Sequence, residues 1–219
     1  MCPECEKERV DFEKDRENRE KRQKIEVLKR KSNIGKRYIN SSLKNFNCEN
    51  DHQKNIVNTM NNYIERHKEL VEKGVSFIFS GKPGTGKTHL ACAIGNALIN
   101  KLIEVGYVSI FSLITSLKAS FDKNSGDSEV NIIKKYTSVD FLIIDEIGVQ
   151  LGSNYEKSIM FQIINFRYEM IRPTILITNL NEEQSKEIIG ERIVDRFYEN
   201  GGGFYSFNWE SHRRKRVEK

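Results

Sequence analysis

The residues Gly81-Lys82-Pro83-Gly84-Thr85-Gly86-Lys87-Thr88 fit the spacing G-x-x-x-x-G-K-[ST], which brings backbone amides, a lysine and a hydroxyl onto one phosphate chain. Gly84 and Gly86 can adopt backbone angles that turn consecutive N–H groups inward. Lys87 supplies a point charge for β- and γ-phosphates, and the Thr88 hydroxyl can hold Mg²⁺. Further on, the apolar run Phe141-Leu142-Ile143-Ile144 ends in Asp145-Glu146. There Asp145 would join the Mg²⁺ shell, and Glu146 would orient the water attacking the γ-phosphate and accept its proton. Asn179, at the polar exit of Pro173-Thr174-Ile175-Leu176-Ile177-Thr178, can hydrogen-bond that water or the γ-phosphate. Each motif alone has a plainer reading, as a glycine-rich turn, a pair of capping acids or a turn asparagine. In this order they imply a chain that binds a nucleoside triphosphate with Mg²⁺.

Such side chains need a scaffold that points them to one place. Val75 to Ser80 reads as a buried strand, and His89 to Val105 as the helix that follows the loop. The helix opening at Lys87 aims its positive dipole end at the phosphates. Gly106 to Phe111 reads as a second strand, followed by a helix from Ser112 to Phe121 with Ser112 as its cap, and a short helix from Glu129 to Tyr136. The unbroken apolar run before Asp145 suits a central parallel strand buried on both faces, and ligands bind at the carboxyl ends of such strands. Tyr155 to Met170 is a helix, Pro173 to Asn179 a fourth strand, Glu182–Ile189 and Glu191–Tyr198 short helices, and Phe204 to Asn208 a fifth strand. The fold class is therefore α/β. Upstream, His52 to Glu72 reads as one helix, and Ile34 to Asn50 as a polar linker.

The chain of 219 residues allows one α/β domain plus an extension. Residues 1–42 form the extension, a charged helical arm whose few apolar residues are Val10, Phe12, Ile25, Val27 and Leu28; residues 43–219 form the catalytic domain. The arm is either a solvated helix or a docking element for another protein. No apolar run approaches the roughly 20 residues that span a bilayer, and Met1 leads into Cys-Pro-Glu-Cys rather than a secretory leader. The four cysteines then read as reduced thiols in a cytoplasm. Cys2 and Cys5 are half of a zinc-ribbon signature, with only the distant Cys48 and His52 to complete it, so zinc is not expected. A net charge of +5 is compatible with a nucleic-acid partner without requiring one.

With these pieces in order, the chain resembles the AAA+ ATPases of the bacterial and phage DnaC type, which load the replicative helicase. The resemblance runs from about Leu43 to Val217 through FIFSGKPGTGKT, DEIGVQ, Tyr155-Glu156-Lys157, GERIVDRF and FNWESHR. It implies a P-loop AAA+ fold with five parallel strands in the order 5-1-4-3-2, and protomers stacked in an open spiral around single-stranded DNA, ATP lying between neighbours. The nucleotide contacts it implies are Gly81 to Thr88 with His89, Asp145, Arg192 and Arg213. Arg196 resembles the arginine finger that reaches the next protomer's nucleotide, Arg192 its companion, and Arg213 the arginine acting on its own nucleotide. An arginine facing the transition-state charge can contribute roughly 10³–10⁵ in rate. Arg192 and Arg196, at i,i+4, also suit ordinary ion pairs with Glu191, Asp195 or Glu199.

For DNA the resemblance points to Phe121, Ser153 and Tyr155; Lys118 and Lys123 flank Phe121 and could attract phosphates. An exposed aromatic stacks on any base, whereas Phe121 could equally close a hydrophobic helix face. The implied activity is ATP hydrolysis stimulated by single-stranded DNA, and the implied partner is a hexameric replicative helicase gripped by the arm. An IstB-type transposition helper acting on duplex DNA with a transposase has the same fold. A small-molecule phosphotransferase would need a lid and an acceptor site, and no segment reads as either.

Overall fold

The computed structural model describes residues 3–122, 126–148 and 153–212, with side chains from residue 11 onward. Arg213, Lys123 and Cys2, and the side chain of Cys5, lie outside the described residues. Five strands form one sheet: β1 (Phe77–Gly81), β2 (Val105–Ser109), β3 (Phe141–Ile147), β4 (Thr174–Thr178) and β5 (Gly203–Phe207). Their order is β2-β3-β4-β1-β5, all neighbours parallel, which is the expected 5-1-4-3-2 read from the other edge.

Side chains alternate across the strands and divide the core into two layers. On one face Phe77, Phe79, Phe141, Ile143, Ile175 and Ile177 pack under α2 (Asp51–Glu65) and α4 (Lys87–Ile99). On the other, Ile78, Leu142, Ile144 and Leu176 pack under α5 (Ile110–Ala119), α6 (Glu129–Ser138), α7 (Asn154–Glu169) and α9 (Glu191–Tyr198). The remaining helices are α1 (Pro3–Lys31), α3 (His67–Glu72) and α8 (Glu182–Ile189).

Several boundaries differ from those read from the sequence. The helix after the phosphate loop stops at Ile99, because Leu102 takes a left-handed turn (φ 65°) and Val105 already belongs to β2. Ser109, not Ser112, caps α5: its hydroxyl accepts the Ser112 amide. The helix expected from His52 to Glu72 breaks at Arg66 into α2 and α3.

Ile25 and Leu28 at the end of α1 join the α2/α4 layer, and Ile34 is buried beside Gly95. Just after α1, the Ser32 carbonyl accepts a hydrogen bond from the Tyr107 amide at 2.8 Å, which gives β2 a partner along its outer edge. Asn96 of α4 donates to the carbonyls of Tyr38 and Ser41, both at 2.9 Å.

A buried cation fastens the far side of the sheet. Arg167 of α7 is fully buried, donating to Thr174 Oγ1 and to the carbonyls of Tyr136, Val139 and Pro173. Burial, reinforced by nearby Arg172, pushes its guanidinium down to about 9. Among the described residues no helix is long and apolar enough to cross a membrane.

Candidate active site

The phosphate loop leaves β1 at Gly81 and enters α4 at Lys87. Two of its glycines have no substitute. A Cβ on Gly81 would sit 2.3 Å from the Phe207 carbonyl oxygen of neighbouring β5. Gly86 has φ 98°, and a Cβ there would lie 2.7 Å from Phe46 Cε2. The loop is therefore wrapped closely by the turn before α2. The Phe46 ring also lies 5.9 Å from the His89 ring, and His89 Nε2 donates to Asn45 Oδ1 at 2.8 Å. Burial lowers the His89 pKa, partly offset by a hydrogen bond to the Ser42 backbone.

Lys87 is buried and bends back over the loop, donating to the carbonyls of Gly81 and Lys82 and to Asn179 Oδ1 at 3.0 Å. Asn179 follows β4, and the turn that carries it is fixed on both sides. Thr178 Oγ1 donates to the Ile147 carbonyl and accepts the Leu180 amide, while Ser80 donates to the Leu180 carbonyl. Three strand ends, β1, β3 and β4, thus converge on one asparagine.

Asp145 is 4% exposed at the end of β3. Thr88 Oγ1 donates to its Oδ2 at 2.9 Å, and the Glu146 amide donates to its Oδ1 at 2.7 Å. Next to it Glu146 is exposed and left-handed (φ 63°), and the β3–β4 register slips between Ile144 and Ile147. A non-glycine residue held in that region costs about 1–3 kcal/mol and is characteristic of working sites. The bulge turns Glu146 out of the strand alternation while Asp145 stays inside.

The donor set fits ATP and Mg²⁺. A loop whose glycines sit where a Cβ would collide, with a lysine across its mouth, is built for phosphate oxygens. A hydroxyl and a carboxylate 2.9 Å apart supply the hard oxygen donors that Mg²⁺ takes. Among the described residues no cluster of three or more His, Cys, Asp or Glu could hold a metal by itself.

The carboxyl-terminal segment also reaches the loop, which sequence reading had assigned only through Arg213. Trp209 Nε1 donates to the Thr85 carbonyl at 2.9 Å, and the His212 amide to the Gly84 carbonyl at 3.0 Å. Residue 212 is thereby fastened to the phosphate loop immediately before Arg213. Tyr107 is the other group that sequence reading missed: its hydroxyl donates to Asp145 Oδ2 at 2.8 Å. A strand tyrosine carries no signal of that role, since the contact depends on β2 lying beside β3.

Arg192 and Arg196 both stand on α9. Arg192 is exposed on the first turn of α9. Arg196 is on the last turn, at the edge where the strands begin, opposite the phosphate loop. Its guanidinium lies 4.2 Å from the centre of the Tyr168 ring and donates to Asn165 Oδ1, while the Tyr168 hydroxyl donates to Glu199 Oε2 at 2.8 Å.

Phe121, Ser153 and Tyr155 form one patch. The Phe121 and Tyr155 rings are 5.7 Å apart, and Phe121 is 59% exposed. Ser153 caps α7 in a reciprocal pair with Glu156, and Glu156 accepts a 2.8 Å bond from Lys118 on the helix leading to Phe121. Lys118, expected to attract phosphates, is held in this ion pair.

The family described as IstB-like ATP binding protein matches residues 6–215 of the chain. The replicative helicase loader DnaC of Buchnera aphidicola subsp. Acyrthosiphon pisum is 39% identical over 198 residues, covering 90% of this chain and 78% of the relative. The protein of the same name from Escherichia coli strain K12 is 39% identical over 199 residues, 91% of this chain and 79% of its own length. Among solved structures, a crystal structure of the DnaC helicase loader superposes with a TM-score of 0.66 at 26% identity, covering 78% of this chain and 99% of that one.

Proposed function

Because the chain belongs to the IstB-like, DnaC-type family of AAA+ ATP-binding proteins, we propose that it is an ATP-driven loader that delivers a replicative helicase onto single-stranded DNA in the cytoplasm. The observation that supports this reading is a phosphate-loop lysine held on Asn179, together with an aromatic patch, on one chain that is 39% identical to proteins named replicative helicase loader DnaC.

In this reading Gly81 to Thr88 and His89 surround the nucleotide, and Arg213 acts on the same nucleotide. Thr88 and Asp145 hold the Mg²⁺ shell, which when bound neutralises charge on the phosphates. Lys87 draws the β- and γ-phosphates together. Glu146, free of the strand's packing, takes the proton of the attacking water, and Asn179 bonds the γ-phosphate or that water. Arg196, with Arg192 one turn away, serves the nucleotide of a neighbouring protomer, so hydrolysis waits for assembly into an open spiral, a hexamer on a hexameric helicase. Phe121, Ser153 and Tyr155 grip unpaired bases. Residues 1–42 act as the arm that docks on the helicase, and residues 43–219 as the ATPase domain.

The test is ATP turnover with single-stranded or duplex DNA, together with co-purification of a replicative helicase. Stimulation by single strands, reduced several-fold by Phe121→Ala, is expected, since one base–aromatic stack is worth roughly 1–3 kcal/mol. Stimulation by duplex alone, with no helicase retained, would favour the transposition-helper reading instead.

A further inference from the structure

A carboxylate offers about four lone-pair sites to hydrogen-bond donors. In Asp145 three are taken: Oδ2 by the Thr88 hydroxyl at 2.9 Å and the Tyr107 hydroxyl at 2.8 Å, and Oδ1 by the Glu146 amide at 2.7 Å. The group is 4% exposed, so water does not take over a lost partner easily. Thr88 and Glu146 lie in segments that themselves serve the nucleotide. Tyr107 is different, because it stands on β2 and touches the site through one atom.

We propose that Tyr107 is a positioning residue for magnesium: its hydroxyl fixes the orientation in which the Asp145 carboxylate would join the cation's shell. The inference rests on the reading that Thr88 and Asp145 hold Mg²⁺. Metal-binding groups depend on such outer partners for orientation. The Tyr107 backbone is itself anchored, its amide donating to the Ser32 carbonyl at the exit of α1.

The experiment is a Mg²⁺ titration of fluorescent mant-ATP binding to the full chain, which reads cation affinity without turnover. Tyr107→Phe removes one oxygen and keeps the ring. It should raise the half-saturating Mg²⁺ concentration about tenfold or more, with mant-ATP affinity in EDTA unchanged. Asp145→Asn should shift the same titration at least as far. A shift for Asp145→Asn and none for Tyr107→Phe would overturn the role of Tyr107 and leave the cation reading intact. No shift for either would overturn both. Loss of mant-ATP affinity in EDTA for Tyr107→Phe would make the residue a general support of the fold and also overturn the proposal.

Discussion

Lys87 Nζ and Asn179 Oδ1 lie 3.0 Å apart, joining the start of α4 to the exit of β4 across the mouth of the phosphate loop. The bond holds the lysine on the asparagine that would meet the γ-phosphate, so the two groups are preorganised for the same oxygen atoms. Asn179→Ala should leave mant-ATP affinity nearly unchanged and lower kcat about 10²-fold, the usual cost of one well-aimed donor. Single-turnover kinetics check it; a fall in affinity with kcat preserved would place Asn179 in binding alone.

Gly86 is constrained twice, by φ 98° and by the Phe46 ring 2.7 Å from a Cβ. Gly86→Ala should destabilise the fold by about 1–2 kcal/mol from the left-handed backbone alone, a fall in Tm of roughly 2–8 °C at this chain length. Thermal unfolding measures it. ATP binding should weaken in the same variant, because the amides that face the phosphates follow the glycine's backbone.

Arg167 carries a charge into the core and meets it with carbonyls and the Thr174 hydroxyl. Arg167→Ala leaves those carbonyls without donors and opens a cavity, and should cost about 3–5 kcal/mol in urea unfolding. Arg167→Lys should recover only part, since an ammonium cannot span acceptors on α6, just before β3 and on β4 as the planar fork does.

Tyr168 lies 4.2 Å from Arg196 and is steadied by Glu199. If Arg196 works on a neighbour's nucleotide, Tyr168→Leu should lower the assembled turnover rate several-fold with KM unchanged, and Tyr168→Phe should keep most of it. In an Arg196→Ala background the Tyr168→Leu change should have no further effect.

Much of the scaffold was legible before the structure. The strands around Ile78, Ile143 and Leu176 announce themselves as short apolar runs because they are buried on both faces. Gly81 to Thr88 and Asp145-Glu146 are legible because their chemistry needs residues close in sequence. The strand order came from family resemblance, since periodicity says nothing about which strands are neighbours. Contacts between distant segments left no local trace: Tyr107 on Asp145, Trp209 on Thr85 and Arg167 on the carbonyls before β3 all depend on how elements pack. The bulge that turns out Glu146 was hidden too, because the run Phe141 to Glu146 reads as an even strand.

In the proposed function the catalytic groups are divided between two copies of the chain. Glu146 is at the phosphate-loop end of the sheet and Arg196 at the opposite edge, so one copy cannot bring both to one nucleotide. Turnover should be measured, with single-stranded DNA present, for Glu146→Gln, for Arg196→Ala and for an equimolar mixture. Each variant alone should be nearly inactive, and the mixture should recover activity that rises with protein concentration, because some junctions pair an intact glutamate with an intact arginine. A mixture as inactive as its components, or an Arg196→Ala chain that turns over ATP at the full rate, would mean that the copies do not share their sites.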